Sequence, residues 1–146
     1  MTPEEHSRIE AACIRLQQRY GTLADRQDPK FRDLFATDAV ITLPDHPPFA
    51  GVAAIMEGQA QWRESGILMR HVCTNFTIAV VNDRTATGIC YLMVFYGGEH
   101  DPARGEAVPT VPISLAEYHD RFIKTDGVWV FQSRTLKRIF RGTAPK

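Results

Sequence analysis

Met69-Arg70-His71-Val72-Cys73-Thr74-Asn75 is the stretch on which the reading of this chain turns. Before it, apolar residues recur at three- and four-residue steps; after it they alternate, so it marks the border between a helical half and a strand-rich half. It also sets a histidine inside a run that otherwise reads as a buried strand.

Working back from this border, Thr2 is suited to cap a helix, with Pro3 at the first helical position and Glu5 completing a capping box. Ile9, Cys13, Leu16, Tyr20 and Leu23 then form one apolar stripe, which leaves Arg8, Glu10, Arg15, Gln17 and Gln18 to solvent. This helix ends near Asp25, with Gly21 weakening its last turns. Asp28-Pro29 starts a second, short helix through Phe31, Leu34 and Phe35. Asp38 begins an exit turn, and 39–43 is a short strand. Residues 45–51 are a loop, because two adjacent prolines exclude regular pairing. Ile55, Met56, Gln59 and Trp62 place a third helix over 52–64.

Forward from the border, strands are expected over 67–81, 85–96, 113–124 and 128–140, with turns at Asn82-Asp83-Arg84 and Asp126-Gly127 and an irregular loop over 97–112. Helix, helix, strand, helix and then a four-strand meander is an α+β order, with three N-terminal helices packed on a strongly curved, mostly antiparallel sheet. The 146 residues suit one domain. Where the helices leave the concavity unfilled, a pocket remains.

Seventeen basic and seventeen acidic side chains cancel, which argues against nucleic-acid or anionic-membrane partners. Three cysteines without a CxxC pair read as reduced core thiols in a cytoplasmic protein. No apolar run approaches a membrane span. Cys73 lies two residues from His71, but no further ligands follow with metal spacing.

The element order, Phe35-Ala36-Thr37-Asp38-Ala39-Val40, Gly51, Arg70-His71 with Thr74-Asn75, and the closing Tyr118-x-Asp120-x-Phe122…Asp126-Gly127-x-Trp129…Arg134 resemble the nuclear transport factor 2-like superfamily. Within it they look closest to the SnoaL-like group that contains scytalone dehydratase and bile-acid 7α-dehydratase. The resemblance covers roughly residues 5–140. It implies a cone-shaped α+β barrel with a cofactor-free proton-transfer site at its mouth. It assigns that site to His71, Asp25, Tyr20 and Tyr96, with Arg134 for a substrate oxygen. The second long strand departs from the pattern, offering Cys90, Leu92, Val94 and Tyr96 where some members have a second histidine or an aspartate.

Such chemistry begins with loss of an acidified C–H proton, for which histidine is a base near neutral pH. A carboxylate on its other ring nitrogen fixes the tautomer, and a tyrosine hydroxyl supports the developing enolate. The expected enzyme is a cofactor-independent lyase or isomerase acting on a small, apolar, ring-bearing carbonyl compound, with no metal. Leu16, Ile41, Trp62, Met69, Leu92 and Val94 would line its pocket. The rival is a non-catalytic ligand-binding or oligomerisation module of the same fold. Either way, a sheet with two apolar faces is expected to form a homo-oligomer, a dimer or trimer.

Two geometric questions stay open at this level. Strict alternation groups His71 with Cys73 and Asn75 and sets it against the apolar Val72, Phe76, Ile78 and Val80. His71 then faces inward only if a bulge intervenes or the outer face is also buried. Tyr20 and Asp25 stand about 140° apart on an ideal helix, so both reach one pocket only if the helix ends or bends at Gly21. For Arg134, a salt bridge to Asp120 or Glu117 is the plainer role.

Overall fold

The structure, a computed structural model, describes residues 1–97, 100–101, 103–107 and 114–141. Helix α1 spans Pro3–Asp25 and opens with the expected capping box: Glu5 N–H donates to Thr2 Oγ1 (3.1 Å) and Thr2 N–H to Glu5 Oε2 (2.6 Å). Ile9, Cys13, Leu16, Tyr20 and Ala24 bury one face. Gln17 is a correction: it is fully buried, not solvated, because the buried face is wide enough to take the residue one turn beyond Cys13.

A 3-10 helix follows over Pro29–Leu34, capped by Asp28, whose Oδ1 accepts from Lys30 N–H at 2.8 Å. Strand β1, Phe35–Thr42, begins earlier than expected. Asp38 is therefore inside a strand, and the exit turn proposed there is wrong; parallel pairing with the last strand on either side of it, at Phe35 and from Val40, holds the segment extended. The proline-rich 45–51 loop also contains a two-residue strand, β2 (Phe49–Ala50), paired with β1. Its prolines stop just short of the pairing, so no ladder hydrogen bond is lost to them.

Helix α2 (Val52–Glu64) follows Gly51, whose φ of 87° suits glycine. Then come β3 (Leu68–Val80), β4 (Thr85–Gly97), the small ribbon of β5 (His100–Asp101) and β6 (Glu106–Ala107), β7 (Ser114–Thr125) and β8 (Val128–Arg141). The expected 97–112 loop thus contains Gly97 at a strand end and a short ribbon; residues 98, 99, 102 and 108–112 lie outside the described residues. The main sheet runs β2-β1-β8-β7-β4-β3, antiparallel except for β1 beside β8. It is the α+β cone expected from the sequence, with α1 packed along its concave face against β3.

The bulge that decides where His71 points is present. The β3–β4 register shifts between Thr74 and Thr77, with Asn75 at φ 53°. The extra residue resets the alternation, so His71 and Cys73 share the inner side with Phe76, Ile78 and Val80, while Val72 is 42% exposed on the outside. No helix among the described residues is long and apolar enough to cross a membrane.

Candidate active site

His71 and Asp25 meet where β3 crosses the end of α1. His71 Nδ1 is 2.6 Å from Asp25 Oδ1, and its backbone N–H donates to Asp25 Oδ2 at 2.9 Å. Both side chains are only 10% exposed. A carboxylate only accepts hydrogen bonds, so Nδ1 carries the proton in this contact; in the neutral imidazole Nε2 then holds the lone pair that a base requires. Both carboxylate oxygens are engaged by one residue, which fixes the plane of Asp25.

Gly21 makes this contact possible, though not by bending the helix. Helix α1 is continuous to Asp25. A Cβ at Gly21 would lie 3.1 Å from His71 Cβ, so the missing side chain lets β3 sit directly on the helix. Asp25, one turn further on, then reaches the imidazole from one side. Tyr20 meets it from the other, ring edge to face at 6.0 Å. The expected need for a break is therefore corrected: the strand spans the two positions.

Beneath Tyr20 lies a second, fully buried cluster. The Arg134 guanidinium donates from Nε and Nη2 to the two oxygens of Asp120, both at 2.7 Å, and neither side chain has any exposure. Gln17 Nε2 donates to Asp120 Oδ2 at 2.8 Å. Tyr20, Tyr118 and Phe131 surround the guanidinium at 4.1, 3.8 and 4.3 Å from their ring centroids. Burial alone would lower the Arg134 pKa; the Asp120 charge and hydrogen bonds outweigh it and hold the cation charged. Burial also raises the pKa of both Tyr20 and Tyr118, which keeps their hydroxyls protonated. Of the two uses foreseen for Arg134, the salt bridge is the one present.

Tyr96 stands apart from the dyad. It pairs with Met69 across the sheet, while His71 pairs with Val94, and its ring lies 5.7 Å from that of Trp62. Trp62, Tyr96 and Val94 line an open cavity of about 450 Å³ at the wide end of the cone, together with Phe49, Ser114 and Arg138. A narrow inner cavity of about 50 Å³, with Tyr20, Ile41 and Ile55 in its wall, shares Leu43, Phe49, Gly58 and Trp62 with it. Tyr20 is thus in the wall of the inner cavity and against His71. His71 and Asp25 line neither of these cavities; they border a separate groove between α1 and β3, of about 300 Å³, so Tyr20 is the residue that links the dyad to the inner cavity. Leu16 and Leu92, expected to line a pocket, are instead packed in the core at 5% and 0% exposure. Met69 is half-buried against that core.

Cys13, Cys73 and Cys90 are free thiols, Cys13 and Cys90 buried. Among the described residues no group of three or more His, Cys, Asp or Glu side chains is placed to hold a metal ion. Sequence reasoning missed Gln17 and its contact with Asp120; the available signal was a polar residue one turn after Cys13 and one turn before Gly21 on the packed side of α1.

A family model described as a SnoaL-like domain matches residues 5–135. Solved structures share the fold. A Novosphingobium aromaticivorans protein that carries the provisional name scytalone dehydratase superposes with a TM-score of 0.82 at 18% identity, over 99% of this chain and 93% of its own. A Mycobacterium tuberculosis protein of unknown function gives 0.78 at 25% identity, over 94% and 76%. A hexachlorocyclohexane dehydrochlorinase from Novosphingobium barchaimii gives 0.78 at 15% identity, over 97% and 93%. No curated protein matches the sequence.

Proposed function

Because this chain belongs to the SnoaL-like domain family, we propose that it is a lyase, or an isomerase, that starts its reaction by taking a C–H proton from a ring-bearing substrate. The carrying observation is the His71–Asp25 pair, a buried imidazole with one nitrogen tied to a carboxylate at 2.6 Å. Loss of water and loss of hydrogen chloride, the reactions in the names of two structural neighbours, are both eliminations in which a proton and a leaving group depart from adjacent carbons. His71 Nε2 takes the proton, and Asp25 stabilises the imidazolium that forms. Tyr20, kept neutral by burial, is the nearby phenol. Its role is to donate toward the charge that develops on the substrate. Tyr96 and Trp62 line the open cavity that this reading takes as the substrate's approach, next to the inner cavity walled by Tyr20.

The test is solvent-deuterium exchange. Ring-bearing ketones with an acidic α-hydrogen, incubated with the protein in D₂O, should take up deuterium. His71→Ala should slow this by about 10²–10⁴-fold. Exchange no faster than in buffer across such a panel would leave a binding module. The same reading includes self-association through the outer sheet face, where Val72, Ile89 and Tyr91 are 42%, 38% and 46% exposed. A monomer in sedimentation at micromolar concentration would dismiss that part.

A further inference from the structure

We propose that the mouth cavity holds an anion-reading subsite, built from Arg138 and Ser114, which selects a flat-ring ligand bearing a carboxylate or similar acidic oxygen group. The proposal rests on the reading of this cavity as the substrate's entrance and adds what the substrate must carry.

Three observations support it. First, the cavity has aromatic walls: Trp62 and Tyr96 tilt toward each other at 5.7 Å, and His46 stacks on Phe49 at 4.4 Å with 13° between their planes. Gly58 keeps this shape, because a Cβ there would lie 2.7 Å from the Phe49 ring. Flat faces of this kind favour a planar ligand.

Second, Arg138 lines the cavity from β8 and donates from Nη1 to Asp45 Oδ2 at 2.9 Å. This ion pair crosses the mouth from the last strand to the loop before β2. Its side chains are 30% and 69% exposed, so it is weak enough to exchange. A ligand carboxylate that engages the guanidinium's fork bidentately would compete with Asp45, which accepts from Nη1. Arg138 is also close enough to Tyr96 for its charge to oppose the effect of burial on that hydroxyl.

Third, Ser114 is on the neighbouring strand, and its Oγ is buried with no hydrogen-bond partner among the described residues while the residue lines the same cavity. In the β7–β8 register Arg138 faces Ala116, two residues along from Ser114, so the two polar groups share one side of the sheet. A buried hydroxyl without a partner is costly unless something binds it. One acidic oxygen held by Ser114 Oγ–H and the other by Arg138 would satisfy both.

The probe pair is 2-naphthoate and 2-naphthamide, equal in shape and different in charge, measured by calorimetry on the wild type, Arg138→Gln and Asp45→Asn. The wild type should bind naphthoate about tenfold or more tighter than naphthamide, with only the naphthoate affinity falling as salt rises. Arg138→Gln should erase the difference, and Asp45→Asn, which removes the competing carboxylate, should widen it. Melting curves confirm that each variant is folded. Equal binding of the two probes, no binding of either, or discrimination that survives in folded Arg138→Gln would overturn the proposal. If discrimination holds but no ketone exchanges deuterium, catalysis fails and the subsite stands; the reverse outcome removes the subsite alone.

Discussion

Two of the molecule's aspartate–arginine pairs lie at opposite depths, one fully buried and one at the rim of the open cavity. Asp120–Arg134 forms a buried base against Tyr20, with no exposure, bidentate at 2.7 Å and surrounded by three aromatic rings. Asp45–Arg138 crosses the open mouth at 2.9 Å, with side chains 30% to 69% exposed. The chemistry is the same and the consequences are opposite. In the base, separating the charges leaves one of them dry and alone, so the pair is fixed and holds Tyr20 and Gln17 in place. At the mouth, water can replace either partner, so the pair exchanges at little cost. A fixed base suits orientation of a catalytic group, and an exchangeable rim suits ligand selection.

Breaking the base should show the largest effect. Asp120→Ala should cost about 3–5 kcal/mol by leaving the Arg134 cation uncompensated, read as a fall in the urea midpoint; a cost below about 1 kcal/mol would erase the contrast. Alkali should attack the same region. Burial, and secondarily the Asp120 charge, pushes the Cys13 thiol from 9.0 to about 12. Below pH 9 both folded and unfolded chains keep this proton; between 9 and 12 only the folded chain does, so stability falls as pH rises. The slope is about 1.4 kcal/mol per pH unit for such a group. Tyr20 and Tyr118, raised in the same direction, steepen the loss at higher pH. Denaturant midpoints between pH 8 and 11 provide the measurement, and Cys13→Ser should flatten the lower part of the curve.

Between base and mouth, Gly21→Ala sharpens the comparison. It gains about 1 kcal/mol of helix propensity but places a Cβ 3.1 Å from His71 Cβ. Stability should therefore change little while deuterium exchange falls about tenfold, through displacement of the dyad. Activity that is unchanged would detach His71 from the reaction. Asp45→Ala at the mouth should show the smallest effect on stability, within about 1 kcal/mol.

Much of the architecture was legible from one strand of text. The capping box, the apolar stripe of α1, the Asp28 cap, the turn at Asp126-Gly127 and the α+β order all follow from local chemistry, and all are present. The His71–Asp25 pairing was reachable only through resemblance, since the partners lie 46 residues apart. Gln17 was misread because a polar side chain on a helix is satisfied by solvent unless a distant strand supplies Asp120. The β1 start at Phe35 and the β2 pairing at Phe49 were missed for the same reason: the partners that extend them come from elsewhere in the chain.

The sequence by itself determined the periodicities and the caps, because these depend on neighbours within a turn or a strand step. The tertiary structure alone decided which way His71 points. That outcome rests on a single extra residue at Asn75, whose bulge turns the imidazole to the inside, and on the bare backbone of Gly21, which lets the helix carrying Asp25 come close enough to hold it. Both are questions of register and approach between distant segments, settled only when the segments pack.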